Sequence, residues 1–305
     1  MDYKKIIQSR KLRINIMRVL SFLPDKFVIK LQYLLKTGRK LNLKDPQRYS
    51  EKLQWYKLYY KDPLMGNCVD KYLVREYVKK QNLENILNTV YGVYDSYEDI
   101  NFNTLPNQFV LKDTLGGGGT SVLIVKDKYT MNMSQLEKTL KSWTKRKYGK
   151  HPGREWVYDN KKSKIIIEKY IESNLEEGGL IDYKFFTFNG KVKYVYGMAD
   201  RALGKGVGCG IFNEKFEQMP YYRADEKKLE RYLKRPLNYE KMVQIAETLG
   251  KPFPHARIDL YNQNNKIIFG EITFFDGSGY MKFKPDEFDY IMGKEFDIPK
   301  KAGNK

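Results

Sequence analysis

The sequence is poor in cysteine: its 305 residues include only Cys68 and Cys209. Two cysteines cannot build the multi-bridge framework of a small secreted domain, and these two lie too far apart in sequence to form a C-x-x-C pair for zinc. A disulfide-stapled fold and a cysteine-based zinc site are therefore excluded. A reducing compartment is the expected environment.

Histidine is equally scarce, with only His151 and His255 in the chain. A histidine-rich metal site is excluded, and a nucleophile that depends on a histidine partner is disfavoured. Any metal must be bound by carboxylates, whose hard oxygen ligands suit Mg²⁺. His255 stands near the start of a predicted strand, and we expect it to form hydrogen bonds rather than to act in catalysis.

The sequence also lacks a run of about 20 apolar residues, so no segment is predicted to span a bilayer. Residues 1–39 are rich in Lys and Arg and carry short apolar clusters, and Pro24 divides them into two predicted helices. They lack the long apolar region and the cleavage site of a signal peptide. Two interpretations stay open: a basic amphipathic anchor at a membrane surface, or a helical pair packed on the main body.

Positive charge is what the sequence has in excess. It contains 56 Lys and Arg against 37 Asp and Glu, so its formal net charge is +19. That charge suits an anionic partner such as a nucleotide, an acidic glycan, a nucleic acid or a membrane surface. A compositional bias toward Lys, Asn, Ile and Tyr explains it equally well, so charge alone does not identify the partner.

The order of predicted elements favours an α+β fold with largely antiparallel sheets. Helices and strands intermix without the regular alternation of a parallel sheet, and strong hairpin signals occur at Asn189–Gly190 and around residues 262–265. The chain divides into four predicted regions: residues 1–40, a basic amphipathic helical segment; 41–105, a helical region; 106–178, with a glycine-rich loop; and 179–300, with a candidate metal site.

The candidate metal site lies in the second hairpin, which reads Arg257-Ile-Asp259 and then Glu271-Ile-Thr273. Alternate side chains of a strand share a face, so Arg257 and Asp259 point one way, and so do Glu271 and Thr273. Apolar residues occupy the opposite faces, which disfavours a surface hairpin with solvated charges. Two carboxylates beside a fixed cation are suited to bind Mg²⁺ and phosphate.

The register of this hairpin decides whether Asp259 and Glu271 meet. The two residues lie on one face only if the loop contains an odd number of residues or if one strand carries a bulge. A three-residue loop over residues 263–265 satisfies this, and Asn tolerates the left-handed conformation that such a loop needs. We therefore predict an odd-length loop or a β-bulge.

A glycine-rich loop follows a predicted strand that ends at Lys112. Glycines let the backbone approach a phosphate closely and aim N–H groups at it. The loop lacks the Gly-Lys-Ser/Thr of a P-loop, so by itself it is also consistent with a flexible hairpin turn. Its residues, called the glycine loop below, are Gly116, Gly117, Gly118, Gly119 and Thr120. Farther on, the apolar strand 165–167 ends in Glu168.

The order of these motifs resembles that of the ATP-grasp ligases. It consists of a lysine-bearing strand, a glycine loop, a strand-end glutamate, and then the R-x-D and E-x-T strands. The R-I-D and E-I-T stretch is similar to the equivalent part of D-alanine–D-alanine ligase. The wider sequence resembles the TupA-like (teichuronopeptide biosynthesis) branch over roughly residues 31–296. The matching stretches are residues 41–46, 50–55, 70–75, 105–112, 154–156, 182–186 and 257–279.

The resemblance implies an ATP-grasp fold, in which two α+β subdomains with largely antiparallel sheets grip ATP behind a helical N-terminal region. It also implies how ATP is bound. Lys112 would contact the α-phosphate side, and the glycine loop would close over the β- and γ-phosphates. The adenine pocket would be lined by Glu168, Lys169, Tyr170 and Ile171, with Asp182 near the ribose.

The same resemblance implies the catalytic and metal-binding residues. Lys184 would lie near the phosphates and Arg201 would reach the γ-phosphate. Asp259 and Glu271 would bind Mg²⁺, and Arg257 would stabilise the negatively charged acylphosphate or tetrahedral species. Ser278 would bind the carboxylate of the substrate, and Arg154 would contribute to substrate binding. The basic segment around Arg154 is consistent with an acceptor site and equally with a solvated helix end.

One departure from the family pattern concerns the metal. Many ATP-grasp ligases carry Asn two residues after the metal-bridging Glu, and here that position is Thr273. A hydroxyl is a poorer ligand than an amide carbonyl, so the number of Mg²⁺ ions, one or two, stays open. Asp276 is a candidate replacement ligand.

These inferences predict an enzyme that uses ATP and Mg²⁺ to activate a carboxylate as an acylphosphate and to join it to an amine. The TupA-like resemblance implies cell-surface polysaccharide or capsule biosynthesis, with a uronic acid and an amino acid or amine as substrates. The expected location is cytoplasmic. If residues 1–39 are an amphipathic anchor, they would suit lipid-linked intermediates at the inner face of the membrane.

Two alternatives are a glycosyltransferase or kinase of polysaccharide biosynthesis and a non-catalytic, basic nucleic-acid-binding module. The lack of a D-x-D motif disfavours a glycosyltransferase, and the carboxylate pair disfavours nucleic-acid binding.

Overall fold

A computed structural model describes residues 22–117, 121–145, 149–172, 179–200 and 207–299. No helix in these ranges is both long and apolar enough to cross a membrane. Short 3₁₀ turns occur at Glu84–Ile86, Phe102–Thr104, Lys128–Thr130, Trp156–Tyr158 and Asp276–Gly279. The α-helices are α1 (Asp25–Thr37), α2 (Tyr49–Tyr59), α3 (Pro63–Cys68), α4 (Val74–Lys80), α5 (Met133–Thr144), α6 (Tyr239–Gly250) and α7 (Glu287–Glu295).

The strands form two main sheets and a short pair. They are β1 (Val90–Tyr94), β2 (Phe109–Asp113), β3 (Val122–Val125), β4 (Ile165–Lys169), β5 (Asp182–Phe188), β6 (Lys191–Ala199), β7 (Gly208–Asn213), β8 (Tyr222–Arg223), β9 (Lys227–Lys228), β10 (His255–Gln263), β11 (Lys266–Thr273) and β12 (Phe283–Lys284). The small sheet has the order β1-β4-β2-β3, and the large sheet has the order β11-β10-β5-β6-β7-β9. Only the β7–β9 pair is parallel among these described strands, so the predicted α+β, largely antiparallel class is confirmed.

Helix α5 covers one face of the small sheet. Its Leu136, Leu140 and Trp143 join the alternate residues Phe109 and Leu111 of β2 in one apolar cluster. The intervening residues of β2 and β4 face away from α5, because side chains alternate along a strand. Lys112 and Glu168 are among those intervening residues, and they consequently share the uncovered face.

Helix α6 covers one face of the large sheet in the same way. It packs on β5, β6 and β10, and the apolar residues Ile258 and Phe185 lie on this side. Arg257, Asp259 and Lys184 alternate with these residues and project from the other face. Burial of the apolar face therefore fixes the direction in which the charged face points.

The two predicted hairpins are present. Between β5 and β6, Asn189 and Gly190 have φ of 48° and 74°, as a tight two-residue turn requires. Between β10 and β11 the turn is also two residues long, Asn264–Asn265, so the predicted odd-length loop is wrong. The alternative prediction is confirmed: a bulge at Gly270 shifts the register by one residue.

Helix α1 begins directly after Pro24 and packs on the main body. Val28, Ile29 and Tyr33 are almost fully buried, and the Tyr33 hydroxyl lies 2.8 Å from Ser50 Oγ of α2. The packed interpretation of this region is therefore confirmed for α1. The predicted helix before Pro24 lies outside the described residues.

His255 is buried at the start of β10 and uses both ring nitrogens. Nδ1 lies 2.9 Å from the carbonyl oxygen of Thr187, and Nε2 lies 2.9 Å from the hydroxyl of Tyr49. A carbonyl only accepts, so Nδ1 carries the proton and Nε2 accepts from the tyrosine. Burial lowers the pKa of His255 to about 4. The expected hydrogen-bonding role is what the geometry shows.

This depressed pKa predicts a loss of stability in mild acid. The unfolded imidazole takes up a proton as the pH falls through about 6.5, whereas the folded one resists until about pH 4. The contribution of neutral His255 to the free energy of unfolding is fully present above pH 6.5. It is lost as the pH falls toward 4, and the total loss is about 3 kcal/mol. Urea unfolding of the wild type and of His255→Gln, at pH 7 and pH 4.5, measures it. The variant should lose less stability over this range, and equal losses would contradict the assignment.

The bulge predicts a specific sensitivity at Gly270. A Cβ atom there would lie 2.9 Å from the carbonyl oxygen of Asp259, which is backbone and cannot rotate away. Gly270→Ala should lower the free energy of unfolding by about 1–3 kcal/mol. Gly117→Ala, where a Cβ meets nothing within 4 Å, is the matched control for urea unfolding. Equal behaviour of the two variants would rule out a tight bulge.

Candidate functional site

The carboxylates of β10 and β11 lie directly opposite one another. The bulge at Gly270 makes Asp259 and Glu271 Cα partners, and Arg257 pairs with Thr273 in the same ladder. Direct antiparallel neighbours carry their Cβ atoms about 4.5–5.5 Å apart on a shared face. The structure therefore brings together the four side chains that the sequence predicted to form one site.

Arg257 occupies the centre of this face. Its Nε and Nη2 donate to the two oxygens of Asp259, both at 2.7 Å. Nη2 also donates to Glu271 Oε1 at 3.1 Å and to Thr273 Oγ1 at 3.0 Å, and Nη1 donates to Asp276. Because Asp259 and Asp276 are both 1% exposed, their charges persist only with such a partner.

Strand β5 adds a second cation. Lys184 pairs with Asp259 in the ladder, and its Nζ contacts the carboxylate of Asp259 and donates to Asp182 Oδ2 at 2.6 Å. Burial by itself would lower the pKa of Lys184, but Asp182 and Asp259 outweigh it and raise the pKa. The residues assigned to ribose and phosphate, Asp182 and Lys184, are thus paired with each other beside the metal-site carboxylates.

Lys71, which the sequence analysis assigned no role, connects the large sheet to the glycine loop. Its Nζ lies 3.5 Å from Glu271 Oε2 and donates to the carbonyl oxygen of Gly116. Its backbone N–H donates to Thr114 O at 2.9 Å, which ties the turn before α4 to the end of β2. The site is therefore assembled from both sheets.

Arg223, also without an assigned role, completes the charge network. It donates to Asp276 Oδ2 at 3.1 Å and makes a two-point contact with Asp225, at 3.1 Å and 2.7 Å. Asp276 thus lies between Arg223 and Arg257. In this arrangement its two oxygens are already engaged, so it is not poised as the replacement metal ligand.

The two facing carboxylates have opposite pKa shifts. Burial raises the pKa of Asp259 to about 6, against the opposing effects of Arg257 and Lys184. Burial acts in the same direction on Glu271, but Lys71, Arg257 and Lys184 outweigh it and hold the pKa near 2. Glu271, whose side chain is 32% exposed, is therefore the more accessible and the more strongly acidic member of the pair.

The donor set of this face is chemically suited to Mg²⁺. Asp259 and Glu271 offer carboxylate oxygens from adjacent strands, and Mg²⁺ is commonly held by one or two carboxylates together with substrate phosphates. In the described ranges, no three His, Cys, Asp or Glu side chains are arranged to hold a metal by themselves. The pair therefore fits a metal that arrives with phosphates better than a protein-only metal site.

On the small sheet, Lys112 and Glu168 form a second charged pair. Lys112 Nζ donates to Glu168 Oε2 at 2.5 Å, and Arg75 Nη1 lies 3.9 Å from Glu168 Oε1. Glu168 is 7% exposed. Lys112 is therefore held near the start of the glycine loop, on the uncovered face of the sheet.

A cleft of about 840 Å³ is lined by residues of both main sheets. Its lining includes Lys169, Tyr170 and Ile171 at the end of β4, and Asn264 and Lys266 of the β10–β11 hairpin, but not Glu168. This volume is within the range of small-molecule sites. Three residues that the sequence assigned to an adenine pocket thus line one cavity between the two sheets.

The glycine loop is described only in part. Gly116 has no room for a side chain, because a Cβ would overlap Ser121 across the loop. Gly117 has open space around its Cα. Gly118, Gly119 and Thr120 of this loop lie outside the described residues. Arg201, assigned to the γ-phosphate, also lies outside them.

The two residues assigned to substrate lie in adjoining segments with different partners. The Ser278 hydroxyl donates to Glu155, and Lys57 Nζ donates to Ser278 O at 2.9 Å. Burial lowers the pKa of Lys57 to about 7. Arg154 has φ of 56°, and its Nη1 lies 3.5 Å from Asp25 Oδ1 of α1.

The model of one protein family matches most of the chain. The TupA-like ATPgrasp model matches residues 51–297. The chain belongs to the TupA-like ATP-grasp family.

Comparison with other proteins adds distant neighbours. A search of curated proteins found no match. D-alanine–D-alanine ligase from Bacillus anthracis is 18% identical over 68% of this chain and 57% of its own, with a TM-score of 0.44. L-amino acid ligase from Bacillus licheniformis is 16% identical over 70% of this chain and 45% of its own, with a TM-score of 0.43. The chain thus spans about half the length of these ligases, and its family assignment rests on the family model.

In this TupA-like ATP-grasp protein, Thr273 already has a partner. Its hydroxyl lies 3.0 Å from Arg257 Nη2 and 3.5 Å from Glu271 Oε1. The hydroxyl therefore helps to hold the guanidinium against the carboxylate. That arrangement accounts for a hydroxyl at this position without a role as a metal ligand.

The charge network predicts a large cost for removing its centre. Arg257→Met should lower the free energy of unfolding at pH 7 by about 3–5 kcal/mol, because it removes the cation that Asp259, Glu271 and Asp276 share and leaves their negative charge only partly compensated. The deficit should shrink at pH 5, where those carboxylates take up protons. Arg235→Met, which removes an exposed partner of Glu240, should leave the stability almost unchanged, because solvent screens a surface ion pair. Urea unfolding at both pH values measures this, and a pH-independent deficit would contradict the explanation.

Proposed function

We propose that the protein is an ATP-dependent, Mg²⁺-assisted ligase that joins a carboxylate to an amine. The observation that carries the proposal is the Asp259–Glu271 pair, held opposite one another on one face by Arg257, Lys184 and Lys71. Membership of the TupA-like ATP-grasp family supports the ATP-dependent half of the reaction. The cleft of about 840 Å³ between the end of β4 and the β10–β11 hairpin is large enough for a nucleotide.

The residues suggest how the two chemical steps would be assisted. A carboxylate oxygen would attack the γ-phosphorus of ATP, and ADP would leave. The amine would then attack the acyl carbon, lose a proton, and displace phosphate. Both steps move negative charge onto oxygen, and preorganised cations such as Arg257 and Lys184 stabilise such charge best in a buried site.

Asp259 and Glu271 would hold Mg²⁺, which would neutralise the phosphate charge during transfer. Lys112 would bind phosphate from the small sheet, and Lys71 would keep the glycine loop against the large sheet. Reactants held between two sheets gain from orientation as well as from charge. The protein would therefore act mainly by positioning and by electrostatics.

For the substrates, we propose a uronic acid and an amino acid or amine of a cell-surface polysaccharide, used at the cytoplasmic face of the membrane. The TupA-like family relation and the net charge of +19 support this choice, since a basic surface attracts an acidic glycan. The basic N-terminal region supports the location.

The decisive experiment measures ADP and phosphate release with ATP and Mg²⁺, with uronic acids screened against amino acids and simple amines. Release should require a carboxylate, an amine and free Mg²⁺. Glu271→Gln should lower the rate about 100-fold or more, since it removes a charge that acts on the phosphates.

Glu240→Gln, at an exposed surface pair, is the matched control and should retain full activity. ADP release without phosphate, with a phosphorylated product, would identify a kinase instead. Absence of ATP binding by the folded wild type would reject the ligase proposal.

A further inference from the structure

Helix α1 has a second apolar face that the main body does not cover. Four exposed apolar residues recur at positions i, i+4, i+7 and i+8, so they share one side of the helix, with the exposed Lys26 and Lys30 beside them. The outward face of a helix packed on a protein body is normally polar. Here it includes Phe27, Leu31, Leu34 and Leu35, which are 55%, 37%, 44% and 49% exposed.

Phe22 extends the same surface. It lies three residues before the start of α1 and is 77% exposed. Among the exposed large apolar side chains of the described residues, only Tyr129, Tyr232 and Leu237 are more exposed. Several exposed apolar side chains on one helix are typical of a surface that contacts another protein or a membrane.

Lysines border the apolar face. A cavity of about 370 Å³ between α1 and residues 41–44 is lined by Lys26, Lys30 and Lys44. The only acidic residue between positions 22 and 44 is Asp25, and it is paired with Lys150 at 2.7 Å. The three lysines therefore present positive charge next to exposed Phe and Leu side chains.

We propose that residues 22–44 form a docking surface for an anionic lipid bilayer. The outward face of α1 would enter the boundary between headgroups and acyl chains, and the lysines would pair with lipid phosphates. Lysine is depleted at the centres of protein–protein interfaces, whereas its long stem can lie along apolar surface while its charge reaches the headgroups. The combination of apolar face and lysine border therefore fits a lipid surface better than a second protein.

The geometry also explains how docking and folding coexist. The inner face of α1 is held by buried side chains and by Gln32, whose Nε2 donates to Pro152 O at 2.8 Å. The helix is thus already formed and anchored, so binding would not need to order it. A preformed helix loses less conformational entropy on binding than a disordered segment.

Flotation of the full chain with vesicles tests the proposal without any nucleotide. Vesicles of phosphatidylglycerol and phosphatidylcholine should bind the protein, and vesicles of phosphatidylcholine alone should bind it at least about tenfold more weakly. The variant Phe27→Gln/Leu31→Gln/Leu34→Gln should lose at least about tenfold in binding, because Gln keeps helix propensity but removes the apolar contact.

Matched controls separate this surface from general stickiness and charge. Tyr232→Gln/Leu237→Gln alters two side chains that are each 79% exposed elsewhere, and it should bind as the wild type does. Lys26→Gln/Lys30→Gln should weaken binding to the anionic vesicles more than Lys227→Gln/Lys228→Gln, which changes the exposed strand β9.

Three results would overturn the proposal. The first is no binding of the wild type to the anionic vesicles. The second is equal binding by the wild type and the α1 variant, which would place the contact elsewhere, such as in residues 1–21. The third is a dimer in light scattering that the α1 variant dissociates, which would assign this face to a second copy of the chain. Since no step uses ATP, these results test the proposed membrane location and do not bear on the ATP-dependent ligase reaction.

Discussion

The buried guanidinium of Arg257 is the interaction on which the candidate site depends. Asp259 and Glu271 face each other across two strands, an arrangement in which like charges repel. Arg257 donates to both of them and to Asp276, so it holds β10, β11 and the 3₁₀ turn after β11 around one cation. Lys184 and Lys71 then bring β5 and the glycine loop to the same carboxylates. The contacts that compensate the buried charges are thus also the contacts that assemble the site.

The central hairpin shows how far a single sequence determines such a site. Alternation predicted which residues share a face, and the requirement that Asp259 and Glu271 meet predicted a change of register. The sequence did not show where the change occurs: it lies at Gly270 and not in the loop, which has the common two-residue form at Asn264–Asn265. Gly270 is where the partner strand approaches too closely for a side chain. A glycine inside a strand pattern was the available signal for that bulge.

Lys71 and Arg223 are site residues that the sequence analysis did not predict. Each contacts a carboxylate that is about 50 or more positions away in the sequence. Periodicity describes which way a side chain points within its own element, but it does not show which distant element packs against it. The fold class and the four hairpin residues were therefore predictable from local pattern and family resemblance. The cations that complete the network required the tertiary structure.

Helix α1 illustrates the same limit at the surface. Its sequence suited either a packed helix or a membrane anchor, because it contains apolar residues for both. The structure buries Val28, Ile29 and Tyr33 and leaves Phe27 and Leu34 outside, so the two interpretations concern opposite faces of one helix and do not compete. A helix with one apolar face needs only the protein to cover it. Folding leaves the second apolar face and its lysine border exposed. An anionic lipid surface would cover the apolar side chains and would also pair with the lysines.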